Sequence, residues 1–140
     1  MSDFSCYVQI TNASKHDLTL SVNASEGSWQ GDIPQSVAAN TTLEYIQLED
    51  ASGPHGSTGS LTLSIPGTDT SMGANFEDAY IGENSASIGS EGLSPTMAWS
   101  FEGASGSPGD FEPDGVPGSG HPVYLNFTFS DDAPQAISAS

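Results

Sequence analysis

The chain of 140 residues carries 18 acidic residues against a single Lys and no Arg, a formal charge of −17. It therefore has almost nothing with which to neutralise the phosphates of a nucleic acid, and an anionic membrane surface would repel it. Its one cysteine, Cys6, excludes a disulfide framework.

Phe4 to Thr11 alternates, with Cys6, Val8 and Ile10 on one face and Tyr7, Gln9 and Thr11 on the other, the two-residue period of a strand covered on one side. Asp17 to Asn23 repeats the pattern with Leu18, Leu20 and Val22, and the short polar connection from Asn12 to Asp17 predicts that these two runs form a hairpin. Thr41 to Leu48 is a third run whose alternation is blurred, Leu43 and Tyr45 sharing one face and Ile46 and Leu48 the other, which predicts a bulge or burial on both sides. Ser60 to Ile65 is regular, with Leu61, Leu63 and Ile65 on one face. Asn75 to Ile81, Thr96 to Phe101 and Val123 to Ser130 complete the set.

No window sustains a 3.6-residue period, so almost no helix is expected. Short strands separated by turns rich in the 16 Gly and nine Pro point to an all-β fold, a single-domain antiparallel β-sandwich over residues 1–130 with a flexible acidic tail over 131–140. There is no apolar run long enough for a transmembrane helix. Met1-Ser2-Asp3-Phe4 shows neither the basic start nor the apolar segment of a signal peptide, so the protein is expected to be cytoplasmic or released without one. Four N-x-S/T sequons, at Asn12, Asn23, Asn40 and Asn126, arise readily by chance in a chain this rich in Ser and Thr.

Gly103 to Pro122 predicts a long connection, and Phe111 stands in it among carboxylates, an apolar residue with no strand to join and a candidate loop contact. Asp110, Glu112 and Asp114 alternate before Gly115 as oxygen ligands do in the first half of an EF-hand loop, which makes Ca²⁺ a candidate ion there. The second half departs from that pattern, with His121 where a bidentate Glu would stand. Nucleophile elbows, phosphate-binding loops, dinucleotide fingerprints and zinc-protease helices are absent, and His16, His55 and His121 all fall in predicted loops, so no enzyme is expected. Cys6 alternates with core positions and is expected to be buried and inert.

The aromatic residues carry the remaining signal. Trp29 lies in the polar, turn-like setting Glu26-Gly-Ser-Trp-Gln-Gly31, and rings with an apolar body and a polar edge suit membrane interfaces and sugar faces alike. The opening strand Tyr7-Val-Gln-Ile-Thr-Asn12, then Leu18-Thr-Leu20, Gly27-Ser-Trp29 followed by Asp32-Ile-Pro34, and Gly56-Ser-Thr-Gly-Ser60 come in an order similar to that of a known group. With Phe76-Glu-Asp-Ala-Tyr80 and Ile81-Gly-Glu-Asn84, the chain over residues 4–90 resembles the aegerolysin-like family of small β-sandwich proteins. Phe76 and Tyr80 stand where that family usually has Trp, and the Cys common in that segment is missing.

The resemblance implies a protein that binds membrane lipid of the sphingolipid type, acting in some members with a larger pore-forming partner protein. It puts Trp29, Phe76, Glu77, Asp78 and Tyr80 forward as lipid-binding residues. The charge restricts the target to a neutral or zwitterionic lipid. The alternative is a lectin-like carbohydrate-binding or structural protein, in which Trp29 or Phe111 faces a sugar and the acidic loop holds Ca²⁺.

Overall fold

The computed structural model describes residues 4–51, 53–67, 70–91, 98–106, 111–113 and 115–130. Two sheets face each other. In chain order the strands are β1 (Cys6–Asn12), β2 (Leu18–Glu26), β3 (Ser28–Trp29), β4 (Ser36–Val37), β5 (Thr41–Thr42), β6 (Ile46–Glu49), β7 (Ser57–Ser64), β8 (Ser71–Asp78), β9 (Ser85–Glu91), β10 (Ala98–Ser105), β11 (Glu112–Pro113) and β12 (Val123–Ser130). Sheet A runs β11-β10-β12-β1-β6-β3, with β5 also paired to β1, and sheet B runs β4-β2-β7-β8-β9. Among the described residues there is no helix, and the all-β sandwich expected from the alternation is what forms.

The pleat dictates what the sandwich encloses. Alternate residues of β1, β7, β8 and β12 point inward, so Val8, Ile10, Leu61, Leu63, Met72, Leu125, Phe127 and Phe129 form one buried cluster together with Phe76, Leu18 and Leu48. Phe127 sits at its centre, in ring contact with Phe76, Trp99 and Phe101.

Several expectations are corrected. The predicted hairpin of the first two runs does not form, because β1 and β2 belong to different sheets. β1 lies instead between β12, which it pairs in parallel from Cys6↔Val123 to Asn12↔Phe129, and β6, so the sandwich is not purely antiparallel. Asn12 fastens the chain where it leaves β1: its buried side chain donates to the carbonyls of His16, Val37 and Ala38 and accepts from the Ser14 N–H and hydroxyl. A carboxamide so engaged is closed to glycosylation in the folded protein.

The blurred third run splits into β5 and β6, the predicted start of the run at Ser60 moves to Ser57, and the run expected to end at Ile81 ends at Asp78. β9 was not expected at all. The long connection begins later than predicted, because β10 continues to Ser105, and within it Glu112–Pro113 pairs with Glu102 and Gly103. Thr96 and Met97, Asp110 and Asp114 of the proposed Ca²⁺ loop, and the tail at 131–140 lie outside the described residues.

Cys6 is buried as expected. Desolvation pushes its thiol up to about 12, opposed by a hydrogen bond from Ser57 and reinforced by the charge of Asp78. A thiol raised on folding stabilises the native state below its ordinary range, and that contribution is lost as pH rises through the folded value. The native protein should therefore resist alkylation at neutral pH. Above about pH 9, where an unfolded thiol ionises, its denaturant midpoint should fall more steeply than that of Cys6→Ala; parallel slopes would contradict this.

Candidate functional site

One end of the sandwich gathers segments far apart in sequence. The register pairs Ser57 with Asp78 and Glu26 with Thr58, which brings the β2–β3 turn, the loop before β7 and the end of β8 to the same edge. Two glycines are required there. A Cβ on Gly56 would overlap the carbonyl of Asp78 and crowd the N–H of Tyr80, and Gly27, at φ +94°, leaves no room for a Cβ beside the carbonyl of Glu49. His55 meets Glu26 at the rim of this end, with 3.1 Å between Nδ1 and Oε2.

At this end β8 gives way to a turn. Asp78, fully buried, pairs with Nδ1 of His121, which lies in the segment leading into β12. The ring of Phe4 packs on both His121, at 4.1 Å between centroids, and Tyr80, at 5.2 Å. Ser57 Oγ donates to the Phe4 carbonyl at 2.6 Å and contacts Cys6 Sγ, so the N-terminal segment is tied down from beneath. This buried hydroxyl, bonded to backbone and thiol, anchors Phe4.

Asn84 closes the turn from the other side. Its Oδ1 accepts the Ala79 N–H, while Nδ2 donates to the carbonyls of Pro117 and Gly120. Asn84→Ala removes the partners of those backbone groups and is expected to cost about 2–3 kcal/mol, since buried polar groups left unpaired each carry a penalty. Thermal or urea denaturation measures it, and a loss too small to detect would show that water replaces the side chain.

Clamped between these contacts, the turn holds Tyr80 and Ile81 outward at 45% and 86% exposure, the exposed large hydrophobic residues among those described. Gly82, at φ +104°, turns the chain back immediately after them.

The five residues suggested by the resemblance do not share one surface. Tyr80 is exposed, and Glu77 is half-exposed on β8. Phe76 and Asp78 point inward at 2% and 0% exposure, beyond the reach of a ligand on the surface; they support the corner rather than form its face. Trp29 is half-buried at the edge of sheet A, its ring meeting Phe76 edge-on at 5.9 Å and its Nε1 donating to the carbonyl of Asn23. Phe111 is half-exposed, and Glu112 is exposed within β11. Among the described residues no three His, Cys, Asp or Glu side chains converge as metal ligands.

Sequence reasoning missed Ile81, the Asp78–His121 pair and Asn84. A signal for Ile81 was present in Tyr80-Ile81-Gly82, two bulky apolar residues running directly into a glycine turn. Nothing local announces the other two, because their partners lie 43 and 33–36 residues away.

No family model matches the chain, and no curated protein matches its sequence. Solved structures do match. The lipid-binding protein Nakanori superposes with a TM-score of 0.64 at 10% identity, over 91% of this chain and 71% of that one. RahU, solved with a Tris molecule, gives 0.57 at 13% over 90% and 93%. IP-1A from Alcaligenes faecalis gives 0.55 at 12% over 90% and 89%. At these identities the likeness shows the fold.

Proposed function

We propose that this chain is a non-enzymatic β-sandwich protein that binds membrane lipid, docking through the Tyr80–Ile81 corner. The observation that carries the reading is this pair of adjacent exposed hydrophobic side chains on a corner held by buried polar contacts. A tyrosine suits the interfacial layer, with its ring in the apolar region and its hydroxyl in the head groups. Beside it, an aliphatic side chain moved from water into the acyl boundary contributes about 1.5–3 kcal/mol. The fold neighbour Nakanori, described as a lipid-binding protein, supports the reading at that coarse level.

The finer features of the proposal rest on the resemblance to aegerolysins: a sphingolipid-type head group, action with a larger pore-forming partner, and peripheral association of an otherwise soluble protein. The charge of −17 adds that the lipid surface is neutral or zwitterionic. The reading requires no metal ion.

Co-sedimentation with phosphatidylcholine vesicles, with and without sphingomyelin and sterol, tests it. Binding should persist in high salt and in chelator, because apolar insertion is not screened. Equal binding without sphingomyelin would remove the sphingolipid component and keep the lipid reading; no binding to any of these vesicles would overturn it.

A further inference from the structure

The outer face of sheet A carries a second constellation, on strands whose other face fills the core. Pairing sets Tyr7 beside Tyr124 on one side and Gln47 on the other, with Gln9 beside Asn126 and Asn126 beside Glu102 in the next row. Because Cys6, Val8, Leu48, Phe101, Leu125 and Phe127 point inward, these residues point outward.

The rings of Tyr7 and Tyr124 stack at 4.9 Å and 17°, and Tyr45 stands edge-on to Tyr124 at 5.6 Å. Gln47 fixes this arrangement, its Nε2 donating to the Tyr7 hydroxyl and to Ser5 Oγ. Burial, with Tyr124 and Glu102 nearby, raises the Tyr45 phenol, so it stays protonated at neutral pH. The face is thus ordered and half-exposed, and its rings are on the outer face of sheet A rather than on the turn that carries the lipid reading.

Its chemistry is one-sided. It presents phenol oxygens, amide carbonyls and the Glu102 carboxylate, and none of the outward residues of β1, β6, β10 and β12 is basic. The whole chain has one Lys, no Arg and a charge of −17, so a second copy would meet it with like charge. What complements the face is a cation rich in N–H donors that also tolerates aromatic rings. A guanidinium has five such donors in a plane, lies against tyrosine and grips a carboxylate with two hydrogen bonds. A patch four strands across spans about 15 Å, the scale of a few residues of a partner chain.

We propose that this face docks an arginine-presenting segment of a basic protein partner, with a guanidinium against the Tyr7–Tyr124–Tyr45 group and its N–H groups on Glu102. Tyrosine and arginine are also the residues that dominate the energetics of protein interfaces.

Calorimetric titration of the full chain at physiological salt tests it, using a synthetic peptide of alternating Arg and Ser, the same peptide with Lys in place of Arg, and a neutral cello-oligosaccharide. The Arg peptide should bind roughly tenfold more tightly than the Lys peptide, because the planar fork is what the site reads. Glu102→Gln and Tyr124→Leu should each weaken the Arg peptide by about tenfold, as loss of a charged partner or an aromatic anchor does. Asp32→Asn, an equal change of charge at an exposed residue outside the face, should leave it within about twofold. If Tyr124→Leu fails to fold, Glu102→Gln decides alone. The proposal is overturned by absence of Arg-peptide binding, by equal binding of the two peptides with equal losses in Glu102→Gln and Asp32→Asn, or by the oligosaccharide binding at Glu102 in place of the peptide. Glu102→Gln leaves the Tyr80–Ile81 corner intact, so vesicle sedimentation of that variant separates failure here from failure of the lipid reading.

Discussion

Phe76→Ala is expected to destabilise the protein by about 3–5 kcal/mol, the range for deleting a buried aromatic ring and leaving its cavity. Phe76 is 2% exposed and reaches from sheet B to meet Trp29 edge-on and Phe127 at a tilt, both on sheet A and both at 5.9 Å between centroids, so the deletion strips packing between the two sheets. Relaxation is limited on one side. Gly59, opposite Phe76 across the β7–β8 pair, has no side chain to move into the space. Phe76→Leu keeps most of the volume and should cost less than half as much. Urea denaturation of both variants reads this directly. If Phe76 were a lipid contact, both variants would lose vesicle binding with little change in stability; the structure predicts the reverse for Phe76→Leu, which should retain binding.

The opposite signature is expected at the corner. Tyr80→Ser combined with Ile81→Asp should lower the unfolding midpoint only modestly, through loss of the Tyr80 ring contact with Phe4, because Ile81 is 86% exposed and Tyr80 nearly half so. Removing Ile81 from the lipid boundary withdraws about 1.5–3 kcal/mol of apolar transfer, and loss of the exposed part of the Tyr80 ring adds to it. A carboxylate at position 81 adds an unfavourable charge at the interface. Binding to neutral vesicles should fall by at least about a hundredfold, since each 1.4 kcal/mol is a factor of ten. Binding unchanged in a folded double variant would relocate the lipid surface, and Trp29 would be the next residue to replace.

The contrast between Phe76 and Tyr80 also shows how far the sequence could be read. Strict alternation identified the strands and inward faces of β1, β2, β7 and β12, because burial on one side of a pleat leaves a period of two. It could not identify neighbours: a period reports which face a residue takes and not which strand lies beside it, and the pairing of β1 with β12 and β6 rather than β2 joins segments far apart in the chain. β9 was hidden because Ser85-Ala-Ser-Ile-Gly-Ser-Glu91 has a single large apolar residue, Ile88.

At the site, Phe76, Asp78 and Tyr80 share one parity and read as one face. The face ends at Asp78 because a buried carboxylate needs a polar partner, and that partner, His121, lies far along the chain. Beyond it the strand stops, and Tyr80 emerges from the turn into solvent. The aromatic and acidic composition of the corner was legible; the boundary between its support and its exposed surface was not.

The parallel pairing of β1 with β12 has a consequence for how the protein is made. The central strands of sheet A come from opposite ends of the described chain, more than a hundred residues apart, so the sheet cannot close around Phe127 until β12 has left the ribosome. Until then β1 has a free edge, and Val8 and Ile10 lack the apolar row of β12 that later lies beside them. Such distant pairings place folding in the millisecond-to-second class of β-sandwiches. Like charge on unfinished copies opposes their association through that open edge.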